Sequence, residues 1–241
     1  MRWINALAGL CVGLPMPLAG QTSQNPPSPL PAIPAAPVPA RQPPRFVVLL
    51  DAAHGGNDTG ARLTPALLEK DLALDLSNRL RSMLAARGMD VTDTRTSDAA
   101  MSAVDRAQVA NRTPYAVCII LHATATGSGV HLYTSSLASA PPAKFMPWQT
   151  AQSAYVTQSL KLSSDVDSAL AHAEIPVTLG RTSLQPMDSF ACPAIAVEIA
   201  PLQAGASTKA SPITDAGYQR NILEAVAAAL EQWRNDWRQQ P

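Results

Sequence analysis

Hydrophobic residues along this chain fall into short unbroken runs that alternate with stripes at helical spacing. Runs at residues 47–50, 116–121 and 194–197 predict buried strands, because each is bounded by residues that favour turns. Weaker strands are predicted at residues 90–94 and 129–134. Stripes of apolar residues three or four positions apart predict helices over residues 67–84, 98–112 and 149–173, and a last helix capped by Thr214–Asp215. This alternation predicts a single α/β domain, with a mostly parallel twisted sheet and helices on both faces.

Polar residues with metal-binding chemistry stand where these predicted elements meet. His54 follows the first strand at a Gly-Gly turn, His122 ends the second strand, and Glu198 ends the third. Glu69 lies in the first turn of the first helix. Ligands collect at the carboxyl ends of parallel strands, so these side chains are expected at one edge of the sheet. Two histidines and one glutamate form a common three-ligand set for catalytic zinc, and a second glutamate is then available as a general base.

Several short motifs follow one another in a fixed order along the chain. They are DAAHGGNDTGA at residues 51–61, Glu69–Lys70–Asp71, Thr94–Arg95, Asp98, Asp105–Arg106, Ala110–Asn111, LHAT at residues 121–124, and PAIAVEIAPL at residues 193–202. In these motifs the chain resembles the zinc-dependent N-acetylmuramoyl-L-alanine amidases of the amidase_3 (cell-wall amidase) family. The resemblance extends over residues 46–233, which is the whole predicted globular part.

The resemblance implies a role for each matching position. His54, Glu69 and His122 would hold the zinc, and Glu198 would be the catalytic carboxylate. Arg181, in the sequence GRTSL, would bind a carboxylate of the substrate peptide. The implied reaction is hydrolysis of the amide between N-acetylmuramic acid and L-alanine in peptidoglycan.

Departures from the family pattern leave every ligand in place. Ala53 replaces a glycine, Thr124 an asparagine, and Ala200–Pro201 a Gly-Phe pair, and these changes bear on substrate preference. Two alternatives remain open: a zinc peptidase or other amidohydrolase on the same scaffold, and a non-catalytic peptidoglycan-binding relative. The complete residue set favours an enzyme, because a binding module has no need of Glu198. A serine hydrolase is disfavoured because the chain has no G-x-S-x-G turn.

The N-terminal residues predict export. Residues 1–20 have a basic residue, a short apolar stretch and a small-residue end, a pattern typical of a secretory signal peptide. Residues 21–44 are rich in proline and alanine and predict an extended linker before the catalytic domain at residues 45–241. The chain has 18 basic and 18 acidic residues, so its formal net charge is zero and no overall positive charge would attract nucleic acid. We expect a monomer without stable membrane insertion after signal cleavage, located in the periplasm or outside the cell at the wall.

Four further residues carry weaker expectations. Cys118 lies in an apolar run, so we expect it to act as a small core residue rather than to pair with Cys192. His131 is expected to be structural, with a substrate contact as the alternative. Asp51 could either orient a metal ligand or cap the turn.

The interval between His122 and Glu198 has little room for an element that would block the site. We therefore predict an open groove and activity without an activator.

Overall fold

The computed structural model describes residues 45–143, 145–205 and 209–238, with the backbone alone for residues 237 and 238. All of them belong to one compact unit, Pro43–Pro241. The predicted signal peptide (residues 1–20) and linker (residues 21–44) lie outside the described residues. None of the helices in the described part of the chain combines the length and the apolar character that crossing a membrane requires.

Strands and helices alternate along the described chain, as the apolar pattern predicts. In chain order the elements are β1 (Val47–Ala52), β2 (Arg62–Thr64), β3 (Leu67–Leu68), α1 (Glu69–Ala86), β4 (Asp90–Asp93), α2 (Ala103–Asn111), β5 (Val117–Ala123), β6 (Val130–Ser135), a 3-10 segment (Trp148–Ala154), α3 (Val156–His172), β7 (Val177–Thr182), a short 3-10 turn (Met187–Ser189), β8 (Ala194–Ile199) and α4 (Ala216–Arg238).

Six of the strands form one sheet in the order β4-β1-β5-β8-β6-β7. Every neighbouring pair is parallel except β8 and β6, which run antiparallel. The expected mostly parallel sheet is therefore confirmed. Because β6 runs opposite to β8, the start of β6 lies at the same edge of the sheet as the carboxyl ends of β1, β5 and β8.

Alternation of side chains along the strands separates two apolar layers, as the two-residue period of a strand requires. On the first face, Val48, Ile119 and Val197 pack with leucines and valines of α1, α3 and α4. On the second face, Leu49 and Ile120 pack with α2 and the 3-10 turn. Helices thus cover both faces, as predicted. By the same alternation His122, Glu198 and His131 point to the second face.

Local capping sets the start of α2 and α4, whereas α1 and α3 begin without a side-chain cap. α1 begins at Glu69, so this residue occupies the first helical position. α2 begins later than predicted because Ser102 forms a reciprocal capping box with Asp105, which starts the helix there. The predicted helix at residues 149–173 is divided at Tyr155 into a 3-10 segment and α3. Asp215 accepts a hydrogen bond from the Tyr218 N–H and caps α4, as expected.

Further features differ from the sequence-based expectations. The apolar pattern does not predict the short strands β2 and β3, and β3 occupies the first two residues of the helix predicted at residues 67–84. The apolar pattern does not predict β7, because its residues VTLGRT lack an apolar run. β7 lies at the edge of the sheet, where its side chains are exposed or only partly buried. Cys118 and Cys192, which were expected to stay unpaired, form a disulfide with a Cα–Cα distance of 6.1 Å. The register explains this pairing, since Cys118 lies beside Ala194 and the approach to β8 brings Cys192 over β5.

Candidate metal and active site

The predicted ligands His54, Glu69 and His122 converge at the carboxyl edge of the sheet. Their candidate ligand atoms all lie within 4.8 Å of one another. Glu69 lies between the two imidazoles: Oε2 is 3.1 Å from His54 Nε2, and Oε1 is 2.8 Å from His122 Nδ1. A carboxylate and two imidazole nitrogens at this spacing fit the donor set of a catalytic zinc site.

Backbone geometry at the first ligand is unusual. His54 has φ of 61°, a left-handed conformation that costs a non-glycine residue roughly 1–3 kcal/mol and is typical of functional positions. Gly60 lies against the cluster, and a Cβ there would come within 2.6 Å of both Glu69 Oε2 and His54 Cδ2. A glycine is therefore required at residue 60 for the ligands to approach one another.

Two buried arginines hold the turn that carries His54. Arg95 donates hydrogen bonds to the carbonyl oxygens of Ala52 and Ala53. Arg106 donates to the carbonyl oxygens of Ala52 and His54. These contacts give a structural reason for the arginines in the motifs, because they satisfy carbonyl groups that the left-handed turn leaves without ladder partners.

Asp58, which was not singled out from the sequence, contacts the first ligand. Both of its carboxylate oxygens lie 2.9 Å from His54 Nδ1, so Asp58 orients the imidazole with Nε2 towards Glu69. Asp51, considered for this role, is fully buried and instead accepts hydrogen bonds from Thr94 and Arg106. A carboxylate four residues after a histidine in a glycine-rich turn is the signal that could have identified Asp58.

Electrostatics of the cluster favour an ionised carboxylate between the imidazoles. Burial opposes the charge on Glu69, but hydrogen bonds from His122, His54 and the Ala61 N–H outweigh it and hold the pKa of Glu69 far below its ordinary value. The hydrogen bond to Glu69 raises the pKa of His54 above 6.5, against burial, and Asp58 adds to the increase. The cluster is therefore electrostatically suited to a cation, because its negative carboxylate already stabilises positive charge on a neighbouring group.

Glu198 lies next to this cluster on the neighbouring strand. The parallel register of β5 and β8 pairs it with His122, and adjacent strands are about 4.8 Å apart. Its side chain is 27% exposed, whereas that of Glu69 is 7% exposed. Glu69 is thus enclosed between the two imidazoles, and Glu198 is open to solvent beside the cluster.

His131 is brought to the site by the antiparallel pairing of β6 and β8. Its Nδ1 lies 2.7 Å from Glu198 Oε2, so the structure places His131 in contact with the predicted catalytic carboxylate. Sequence reasoning missed this contact because it depends on which strand lies beside β8. The residue pattern of β6 alone does not indicate its neighbour.

Arg181 lies away from this cluster. In the parallel register of β6 and β7 it pairs with Thr134, three residues beyond His131 and away from the site edge. Its guanidinium donates hydrogen bonds to the carbonyl oxygens of Ser135 and Leu137. The structure therefore gives Arg181 main-chain partners at the far end of β6, and its substrate role stays a prediction.

Comparison with known proteins gives a consistent family match. The family model Amidase_3, described as N-acetylmuramoyl-L-alanine amidase, matches residues 48–232. N-acetylmuramoyl-L-alanine amidase AmiA of Escherichia coli strain K12 is 32% identical over 106 residues, which are 42% of this chain and 37% of that protein. N-acetylmuramoyl-L-alanine amidase AmiC of Neisseria meningitidis serogroup B is 31% identical over 134 residues, 52% of this chain and 32% of that protein. The matched part thus spans about a third of the length of these curated relatives.

Solved structures share the fold at low sequence identity. The amidase Ami1 from Mycobacterium smegmatis superposes with a TM-score of 0.62 at 18% identity, covering 80% of this chain and 98% of that chain. The catalytic domain of the amidase CwlV from Bacillus (Paenibacillus) polymyxa gives 0.60 at 19% identity, covering 79% and 98%. The α/β architecture is therefore shared with both.

Proposed function

Because this chain belongs to the Amidase_3 family of N-acetylmuramoyl-L-alanine amidases, we propose that it is a zinc-dependent hydrolase. The proposed substrate is the amide between the lactyl group of N-acetylmuramic acid and L-alanine in peptidoglycan. One observation carries the proposal: the enclosed cluster of His54, Glu69 and His122 has a second, solvent-open carboxylate, Glu198, on the adjacent strand.

The two glutamates have different surroundings, and this difference supports different roles. Glu69 is held by two imidazoles and by the Ala61 N–H, so its lone pairs point into the cluster. Among the described residues, Glu198 forms its side-chain hydrogen bond with His131 and none with His54 or His122, and it is more exposed than Glu69. We therefore assign Glu69 as a metal ligand with His54 and His122, and Glu198 as the general base.

A zinc ion bound by these ligands would supply Lewis acidity, which makes a water molecule more acidic and polarises the amide carbonyl. Glu198 takes one proton from the attacking water as the new C–O bond forms. It then gives that proton to the amide nitrogen as the C–N bond breaks. The balanced products are a lactyl carboxylic acid on the glycan and a free amino group on L-alanine.

The disulfide supports the proposed location outside the cytoplasm. Disulfides persist mainly in oxidising compartments, and the Cys118–Cys192 bond lies in the core of the domain. Together with the signal pattern of residues 1–20, this supports an exported protein that meets peptidoglycan in the periplasm or outside the cell. We propose that it acts there as a monomer.

Mass spectrometry of digested peptidoglycan tests the proposal. Zinc-loaded protein should release stem peptides with a free N-terminal L-alanine and leave intact glycan strands, whereas protein treated with EDTA should release nothing. Products cut within the stem peptide would indicate a peptidase. Sedimentation with peptidoglycan without any released peptide would indicate a non-catalytic binding protein.

A further inference from the structure

The contact between His131 and Glu198 is built by the sheet itself. β6 and β8 are antiparallel, and their register places His131 directly opposite Glu198. Side chains of directly opposed residues lie on the same face with Cβ atoms about 4.5–5.5 Å apart. The 2.7 Å distance between His131 Nδ1 and Glu198 Oε2 follows from this pairing, so it does not depend on a mobile loop.

Neighbouring groups fix the orientation of the His131 ring. A Cβ on Gly127, which has φ of 89°, would lie 2.5 Å from His131 Cε1 and 2.8 Å from Nε2. The far edge of the ring therefore lies against a backbone that must be glycine. Tyr133 lies edge to face with the His131 ring, with centroids 6.4 Å apart. With the Cε1–Nε2 edge against Gly127, the ring presents Nδ1 to the Glu198 carboxylate.

Charge settles which atom donates in this contact. An ionised carboxylate can only accept hydrogen bonds, and a general base must be ionised before it takes a proton. His131 Nδ1 therefore carries the hydrogen and donates it to Glu198 Oε2. The contact occupies one carboxylate oxygen and leaves the other, Oε1, for proton transfer. Burial raises the pKa of Tyr133, and the nearby Glu198 adds to the increase.

We propose that His131 is the positioning residue of the general base: its Nδ1–H holds the Glu198 carboxylate in the orientation that takes and returns the proton. This inference rests on the proposed hydrolase function. It adds a residue to the site that belongs neither to the ligand cluster nor to the groups that touch the substrate amide.

Kinetics of His131 variants test this role. His131→Ala should lower kcat by about 10–100-fold, the usual effect of losing a partner that orients an active-site group, with KM and zinc content unchanged. His131→Asn should recover part of the loss, because its amide nitrogen is attached to Cγ as Nδ1 is. His131→Gln, whose amide nitrogen is one bond further out, should recover less. His172→Ala removes an exposed histidine at the end of α3 and should leave kcat unchanged.

A double-mutant cycle separates positioning from a purely structural effect. If His131 acts through Glu198, then adding His131→Ala to Glu198→Gln should not lower the residual rate further. A further fall equal to that in the wild-type background would overturn the proposal. An unchanged kcat in His131→Ala would overturn it as well, as would loss of zinc from that variant.

NMR of protein labelled with ¹⁵N-histidine tests the contact without any reference to activity. In the full chain, His131 should show the Nδ1–H tautomer, and Glu198→Ala should remove that preference. An Nε2–H tautomer in the wild-type chain, or no response to Glu198→Ala, would overturn the proposal. If the wild-type chain cleaves no amide, the proposed function fails, while the tautomer still decides whether His131 holds Glu198.

Discussion

Replacing both Cys118 and Cys192 by alanine should destabilise the domain strongly while leaving its active site assembled. The disulfide joins residues 74 positions apart in the sequence. In the chain-entropy model, closing a loop of this length raises the free energy of the unfolded state by about 4.5 kcal/mol at 25 °C. Both cysteines are fully buried, so the lost sulfur contacts add to this value, whereas residual structure in the unfolded chain reduces it.

The site should survive because it lies away from the crosslink. Cys118 pairs with Ala194 in the β5–β8 register, and His122 pairs with Glu198 four residues further along. Four residues of strand span about 13 Å. At a temperature where the double variant is still folded, its kcat and zinc content should therefore equal those of the wild type.

Urea unfolding with and without a reductant measures the effect. Cys11, the third cysteine, is replaced by alanine in both proteins so that thiol exchange cannot occur. In the protein that keeps Cys118 and Cys192, the free energy of unfolding should fall by roughly 2–5 kcal/mol when the disulfide is reduced. The free energy of unfolding of the double variant should not respond to the reductant. A wild-type unfolding midpoint that does not respond to reduction would refute the reasoning.

Three further predictions concern the metal cluster. Asp58→Asn should weaken zinc affinity by about 10–100-fold in a chelator competition, because the partner of His54 loses its charge; unchanged affinity would count against that role. The Tm difference between zinc-loaded and EDTA-treated protein should widen from about pH 6 to about pH 8. The metal-free protein loses the stabilisation from protonated His54 as the pH rises through the raised pKa of this residue. The zinc-loaded protein gains over the same range, because zinc binds neutral imidazoles better than protonated ones. A constant difference would contradict this sign. Finally, the full chain should digest peptidoglycan without an activator, because His122 and Glu198 are 18% and 27% exposed; a requirement for a second protein would show otherwise.

The parts of the fold and site that could be predicted depend on local pattern. Apolar runs identified β1, β5 and β8, and the residues that end or follow those runs include His54, His122 and Glu198. Parallel strands in an α/β sheet place such ends at the same edge of the sheet whatever their order. The apolar stripe of α1 is sufficient to predict that Glu69 lies at the start of a helix.

The parts that were missed depend on pairing between distant segments. His131 contacts Glu198 only because β6 inserts antiparallel beside β8, and no local pattern specifies that neighbour. The disulfide likewise follows from the β5–β8 register. The position of Arg181 at the far end of β6 likewise follows from the pairing of β7 with β6, and its role towards the substrate stays a prediction of the family resemblance.

The division of labour between Glu69 and Glu198 is the central claim, and bound zinc and turnover measured on the same samples test it most directly. Glu198→Gln keeps the size of the side chain but removes its basicity, so zinc should stay while turnover falls by about 10²–10⁴-fold. Glu69→Gln offers zinc a weaker neutral ligand, so zinc and turnover should fall together. A Glu198→Gln protein that loses its zinc, or stays fully active with zinc bound, would contradict the account.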